Sequence, residues 1–255
     1  VVLLIGLLAI LISGYKKQKQ EYKNTTRLPA RQETQEYIKI VILTLIIVVN
    51  LLAIYWSGSK GAMLGIAAGI FFYALFWAGK RKYFWPVVVV GILLAGWLWQ
   101  SGRINLKGNY SVEGGDSVSV RSEMWQESWQ MIKDHYILGA GLGGYQEAMV
   151  GYHKKEYIEI YLYPHNIFLN FWSEIGLLGL LAFIVIIVWY YWRGLAHAKS
   201  GGKEIKVILM AAMTAIIIHG LVDVPYFKND LSVFFWLMIG LMFIVNIGQK
   251  SQDGV

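Results

Sequence analysis

The feature that most restricts this chain is a succession of apolar runs, each near the length that carries an α-helix across a bilayer. A helix needs about 20 residues to cross a hydrocarbon core about 30 Å thick. Runs of this kind fall at roughly 38–56, 61–79, 85–99, 167–192, 207–224 and 231–247, with a shorter one at 1–13. Of the 255 residues 56% are hydrophobic and only 15% charged, too oily for an ordinary soluble domain. Eleven Trp and sixteen Tyr suit a chain that crosses lipid–water boundaries, where rings with a polar handle collect. There is no Cys, which excludes a disulfide framework and thiol chemistry. The expectation is an all-α polytopic transmembrane helix bundle of about seven spans. Its first span reads as truncated, because 1–13 opens on Val1 with no charged segment before it.

Three regions follow. Residues 1–99 hold transmembrane helices with a cytoplasmic loop at 14–37; 100–166 is a long polar loop; 167–255 holds the last spans and a short tail. Lys and Arg concentrate in cytoplasmic loops. With 14–37, Lys39, 80–84, 193–206 and the C-terminal tail on one side, that side carries fifteen Lys/Arg against eight on the other. The basic side is then cytoplasmic. The loop 100–166, the Ser57–Lys60 break and the Pro225–Asp230 turn share the outer face. The net charge of +7 is accounted for by topology, which argues against nucleic-acid binding.

Three outer segments carry polar residues in patterns that suggest a site. Ser57-Gly58-Ser59-Lys60-Gly61 suits a tight reversal between spans. It also sets Ser59 and Lys60 at a helix N-terminus, where free N–H groups attract anions. In Ser119–Tyr136, Val120, Met124, Trp125, Trp129, Ile132 and Tyr136 recur at helical spacing. That predicts an amphipathic helix in the outer interface with Ser119 as its N-cap. Arg121 sits beside its apolar face; it reads as a snorkelling surface cation or as a fork for a diphosphate. The Gly139–Gly144 stretch lacks the Gly-Lys-Ser/Thr of a phosphate loop and reads as a turn packed on the bundle.

The third segment begins at Tyr163-Pro-His-Asn. Asn166, Asn170, Ser173 and Glu174 then repeat every three or four residues along an oily helix, a polar stripe better explained by a cavity than by lipid. His165 stands at the mouth of that helix as a structural histidine or a base. Further on, His219 and Asp223 share a helix face and read as a hydrogen-bonded pair lining the same cavity, with no third ligand to suggest a metal. Tyr226, Lys228 and Asp230 lie near its rim.

Together these segments resemble the C-terminal half of the O-antigen ligase/polymerase membrane family, over roughly residues 40–247. Three features occur in order: the Ser-rich break Ser57–Gly61, the helix with Arg121 and Trp125 leading to Gly139 and Gly141, and His165-Asn166 followed by Glu174–Gly179. The resemblance implies a membrane glycosyltransferase in the bacterial cytoplasmic membrane, its active site facing the periplasm or exterior. The donor would be an undecaprenyl-diphosphate-linked glycan, and the acceptor a lipid, glycan or protein hydroxyl. Arg121 would bind the donor diphosphate, and His165 would orient or deprotonate the acceptor. Lys60, Ser59, Asn166, Asn170, Glu174, His219 and Asp223 would line the substrate site. Where the family motif usually carries Arg, this chain has Lys60, which keeps the charge and loses the fork. No metal, nucleotide or other cofactor is implied, and attack opposite the diphosphate would invert the sugar. The alternative from the residues alone is a transporter or flippase with an outward-facing polar cavity.

Overall fold

The computed structural model describes residues 30–77, 117–154, 160–196, 203–227 and 229–252; the predicted runs at 1–13 and 85–99, the loop 80–84 and Lys228 lie outside them. Among the described residues the regular structure is helical throughout. The helices are α1 (Ala30–Trp56), α2 (Lys60–Trp77), α3 (Ser117–Asp134), α4 (Tyr145–Met149), α5 (Ile167–Ala196), α6 (Lys203–Gly220) and α7 (Asn229–Gln252), with a 3-10 turn at Pro225–Phe227. Among the described residues two stretches are long and apolar enough to cross a membrane, Ile38–Trp56 and Ile167–Leu195, alongside the shorter apolar stretches Lys60–Phe76 and Leu231–Val245.

Three boundaries differ from the sequence reading. Helix α1 starts at Ala30, inside the predicted loop 14–37, because Arg31-Gln32-Glu33 and Gln35-Glu36 are strong helix formers that let the helix run on past its apolar stretch. Helix α3 starts at Ser117, so Ser119 lies in its first turn and is not its N-cap. Helix α6 stops at Gly220, short of the expected end at 224. Pro225 has no N–H with which to continue a helix. The final turn tightens through Val222 N–H to His219 O (3.1 Å) and Leu221 N–H to Ile218 O (3.3 Å). Asp223 therefore lies in a turn beyond the helix, not inside a span.

Helix α6 is the centre of the bundle. Its Val207, Leu209, Met210, Ala212, Met213 and Ala215 are all buried. Helix α2 packs on it more extensively than any other pair of elements. Small residues permit that approach. A Cβ at Gly65 would stand 2.6 Å from the Ala215 carbonyl oxygen, and one at Gly61 would stand 2.7 Å from Val222 Cγ2. The close contact sets the first residue of α2 directly beside the last turn of α6.

Helix α5 is two helices. Gly176 has φ 70° and ψ −172°, a conformation that breaks the run. On an unbroken helix, residues 171 and 183 would be about 18 Å apart along the axis. Instead the Phe171 and Phe183 rings stack at 4.1 Å, and Phe168 also meets Phe183 at 5.8 Å. The first part, 167–175, thus folds back on the second. The second part, 177–195, is about 28 Å long, which matches a hydrocarbon core without tilt.

The break is filled by the segment following α3. Ala140 N–H donates to Ser173 O (2.7 Å), Gly141 N–H to Glu174 O (2.9 Å), and Leu177 N–H to Tyr136 O (3.0 Å). Trp172 packs edge-on against Trp129 at 5.3 Å and Tyr136 at 5.2 Å, and its Nε1 donates to Tyr136 O. This backbone-to-backbone contact requires glycine on both sides. A Cβ at Gly139 would stand 2.5 Å from the Glu174 carbonyl carbon, and one at Gly176 would collide with the Ile137 carbonyl. Gly176→Ala is expected to lower stability by about 2–5 kcal/mol, from a glycine-only conformation combined with overpacking. Gly143→Ala, at φ +71° but with open space around it, should cost only about 1 kcal/mol. Thermal unfolding of both variants in detergent checks the contrast.

Candidate functional site

Three stretches of chain meet in a pocket of about 250 Å³ at one end of the bundle, and the residues that matter to its chemistry are Ser59, Lys60, Arg121, His219 and Asp223. Each is positioned by local structure. Gly58, at φ +62°, allows the reversal between α1 and α2. The Ser57 hydroxyl donates to Ile54 O (2.7 Å) and accepts from the Ser59 N–H (3.3 Å). The Ser59 hydroxyl then accepts the Ala62 N–H (3.2 Å), which makes Ser59 the cap of α2 and Lys60 its first residue. A full positive charge thereby joins the partial positive charge of the helix end. The two repel each other, and an anion in the pocket relieves both.

Arg121 is one turn into α3, and α3 is held from several directions. Trp125 Nε1 donates to Pro164 O (2.8 Å), tying α3 to the residue before His165. The buried Glu127 carboxylate accepts the Lys154 N–H and pairs with His153 Nδ1, both at 3.0 Å. Ser128 and Tyr145 share a 2.7 Å hydrogen bond beside the buried Met131 and Met149. Burial pushes the Tyr145 phenol up to about 12, so it remains a neutral partner. The apolar face expected to lie on lipid is thus partly committed to the chain's own loop. Trp129 stays 41% exposed.

His165 is not a wall of this pocket; it joins through Asp223. It adopts φ +48°, rare for a residue with a side chain. Tyr161 and Tyr163 meet its ring edge-on at 5.2 and 5.3 Å. Its Nδ1 lies 3.1 Å from Asp223 Oδ1, and the other carboxylate oxygen lies 3.7 Å from His219 Nε2. Burial alone would raise the Asp223 pKa. The bonds from His165 and the Val224 N–H, with positive charge at the two imidazoles, outweigh it and hold the carboxyl at about 2. Asp223 is consequently an anion at any pH where a histidine titrates. An anion only accepts, so the His165 proton sits on Nδ1 and its Nε2 is left with a lone pair when the ring is neutral.

The polar stripe along 166–174 lies apart from the pocket. Asn166 Oδ1 accepts the Phe168 and Leu169 N–H groups (3.0 and 3.1 Å), and its Nδ2 donates to Leu221 O (3.0 Å). It caps α5 and ties that helix to the turn carrying Asp223. Asn170 and Ser173 are fully buried, and Glu174 is nearly so, beneath the glycine loop and facing the Gly143 N–H. The sequence paired Asp223 with His219 by spacing and gave no sign of His165, its nearer partner. Nor did it foretell the Trp125–Pro164 bond, whose residues are far apart in the chain. Among the described residues no group of three or more His, Cys, Asp or Glu is arranged to hold a metal.

Apolar helices long enough to cross a membrane, together with a polar, cation-lined pocket, define a helical membrane protein with its site at one end of the bundle. A family model described as O-antigen ligase matches residues 43–184, more than half of the chain, and the chain belongs to that family. An uncharacterised protein of Haemophilus influenzae is 26% identical over 186 residues, which is 64% of this chain and 45% of that protein. The chain therefore spans less than half the length of this relative. The family segment includes Ser59, Lys60, Arg121 and His165, whereas His219 and Asp223 come from beyond it.

Asn166 supplies both an acceptor and a donor. Asn166→Asp keeps the cap and loses the bond to Leu221 O, while Asn166→Ala loses both. Stability should fall in the order wild type, Asp, Ala, with the Ala variant lower by about 1–3 kcal/mol, read from thermal unfolding in detergent.

Proposed function

We propose that this chain forms the catalytic end of a membrane glycosyltransferase that moves a glycan from an undecaprenyl-diphosphate carrier to a hydroxyl acceptor. The reaction takes place at the outer face of the bacterial cytoplasmic membrane. The observation that carries this reading is the pocket itself, where Lys60 and Arg121, from two different helices, adjoin the His165–Asp223 pair. Membership in the O-antigen ligase family supports it independently.

The acceptor O–H gives its proton to His165 Nε2, while Asp223 holds Nδ1–H and balances the imidazolium that forms. The acceptor oxygen attacks the anomeric carbon from the side opposite the diphosphate. The carbon–oxygen bond to the phosphate breaks, and the diphosphate departs with the electron pair, so the anomeric centre is inverted. Lys60 and Arg121 stabilise the growing negative charge. The carrier diphosphate is already a good leaving group, so this chemistry calls for neither a nucleotide nor a metal. The pocket of about 250 Å³ has room for a diphosphate, which supports reading it as a site for the donor's head rather than for a whole polymer.

The test uses the purified full-length protein in nanodiscs with an undecaprenyl-diphosphate oligosaccharide and hydroxyl acceptors, products being followed by mass spectrometry. His165→Ala is expected to slow transfer by about 10²–10⁴-fold with little change in donor affinity. Arg121→Ala should weaken both. Lys60→Arg should retain activity, since it restores a fork to the same charge. Undiminished transfer in both alanine variants would refute the mechanism.

A further inference from the structure

Two imidazoles share one carboxylate at this site, and only one of them can be the base. His165 has to be neutral at Nε2 to accept a proton. His219 is turned to the other oxygen of Asp223 and lines the same pocket as Lys60 and Arg121. With both rings neutral, two cations and one carboxylate leave the pocket a single positive charge. A diphosphate esterified at both ends carries two negative charges, neither of which titrates near neutrality. The pocket is one charge short of its proposed ligand.

We propose that His219 supplies that charge by taking up a proton when a diphosphate diester binds, so that donor binding is coupled to protonation of this residue. The inference rests on the reading of the pocket as a donor site and adds to it a division of roles between the two histidines. The charged and titratable groups around His219 come from each neighbouring element. Lys60 stands on α2, Arg121 on α3, Asp223 in the following turn, and His165 lies behind Asp223. Glu123, on the same helix as Arg121, is not part of the pocket wall. In the empty site the two cations disfavour an added proton on His219 and Asp223 favours it. The incoming diphosphate adds two negative charges to the one on Asp223, which tips the balance. The glycine contact of α2 with α6 makes the coupling close, since a Cβ at Gly61 would stand 3.0 Å from His219 Cδ2.

Linkage makes the effect reciprocal: if donor binding favours the proton, the proton favours the donor to the same degree. The experiment is calorimetric titration of the full-length protein in nanodiscs with a short-chain polyprenyl-diphosphate N-acetylhexosamine. It is run at pH 6, 7 and 8 in two buffers of different ionisation enthalpy. The wild type should take up close to one proton per donor bound near neutral pH, and its affinity should fall by about 50–100-fold between pH 6 and pH 8. His219→Gln should bind more weakly, with no net proton uptake and nearly level affinity across that range. Lys60→Met should bind more weakly at every pH yet still take up the proton, which separates loss of a fixed cation from loss of the titrating one. His165→Gln should also retain uptake. Uptake persisting in His219→Gln, or absent from the wild type, would overturn the inference while leaving the donor site standing. Absence of donor binding in the wild type at all three pH values would overturn both. Should His219→Gln fail to fold, absence of uptake from the wild type would still overturn the inference.

Discussion

When a helix breaks, the carbonyls it frees need donors, and near a bilayer water is not there to provide them. The rest of the structure depends on how α5 meets that requirement at Gly176. The donors are backbone N–H groups of Ala140 and Gly141, and the chain on the far side of the break repays one bond through Leu177. Because the contact is backbone against backbone, side chains have no place in it, and glycine stands at Gly139 and Gly176. The consequence reaches the site. The interlock anchors the C-terminal end of α3, Trp125 anchors the middle of that helix to Pro164, and Arg121 is held over α2 as a result. The folded-back half of α5 in turn ends at His165.

The second constraint is electrostatic. A pocket with two fixed cations close to a helix N-terminus stores repulsion in the absence of a ligand, as sites that bind anions do. Asp223 moderates it from the turn after α6. That turn is short because Gly220 and Pro225 end the helix, and Asn166 fastens it to α5 through Leu221 O. One carboxylate then faces His165 on one side and His219 on the other. Such a bridge lets a single anion orient a base and tune a neighbouring cation, and neither function requires Asp223 to change its own charge.

Part of this was legible in the sequence because it rests on local rules. The apolar runs, the Gly-Ser reversal before Lys60 and the helix carrying Arg121 and Trp125 follow from periodicity and residue type. The stripe Asn166, Asn170, Ser173 and Glu174 shows how such rules reach their limit. Its helical spacing is real, yet spacing cannot say what a polar face meets. Asn166 satisfies the first turn of α5, and Glu174 sits beneath a glycine loop from elsewhere in the chain. Helix ends were missed for a related reason. Strong helix formers carry α1 back to Ala30, and Pro225 stops α6 early, effects that a count of apolar residues does not register.

The sequence by itself determined that this chain belongs with lipid, where several of its helices run, and which cations, histidines and acids were available for chemistry. Hydrophobic burial, helix propensity and the special demands of glycine and proline act over a few residues, so they can be read along the chain. Only the tertiary structure decided that α5 doubles back at Gly176. It alone brought His165 to Asp223 across 58 positions of sequence and set His219 in one pocket with Lys60. These contacts depend on how closely two backbones approach and on which oxygen of a shared carboxylate each ring meets. Distances of that kind exist only after the chain has folded.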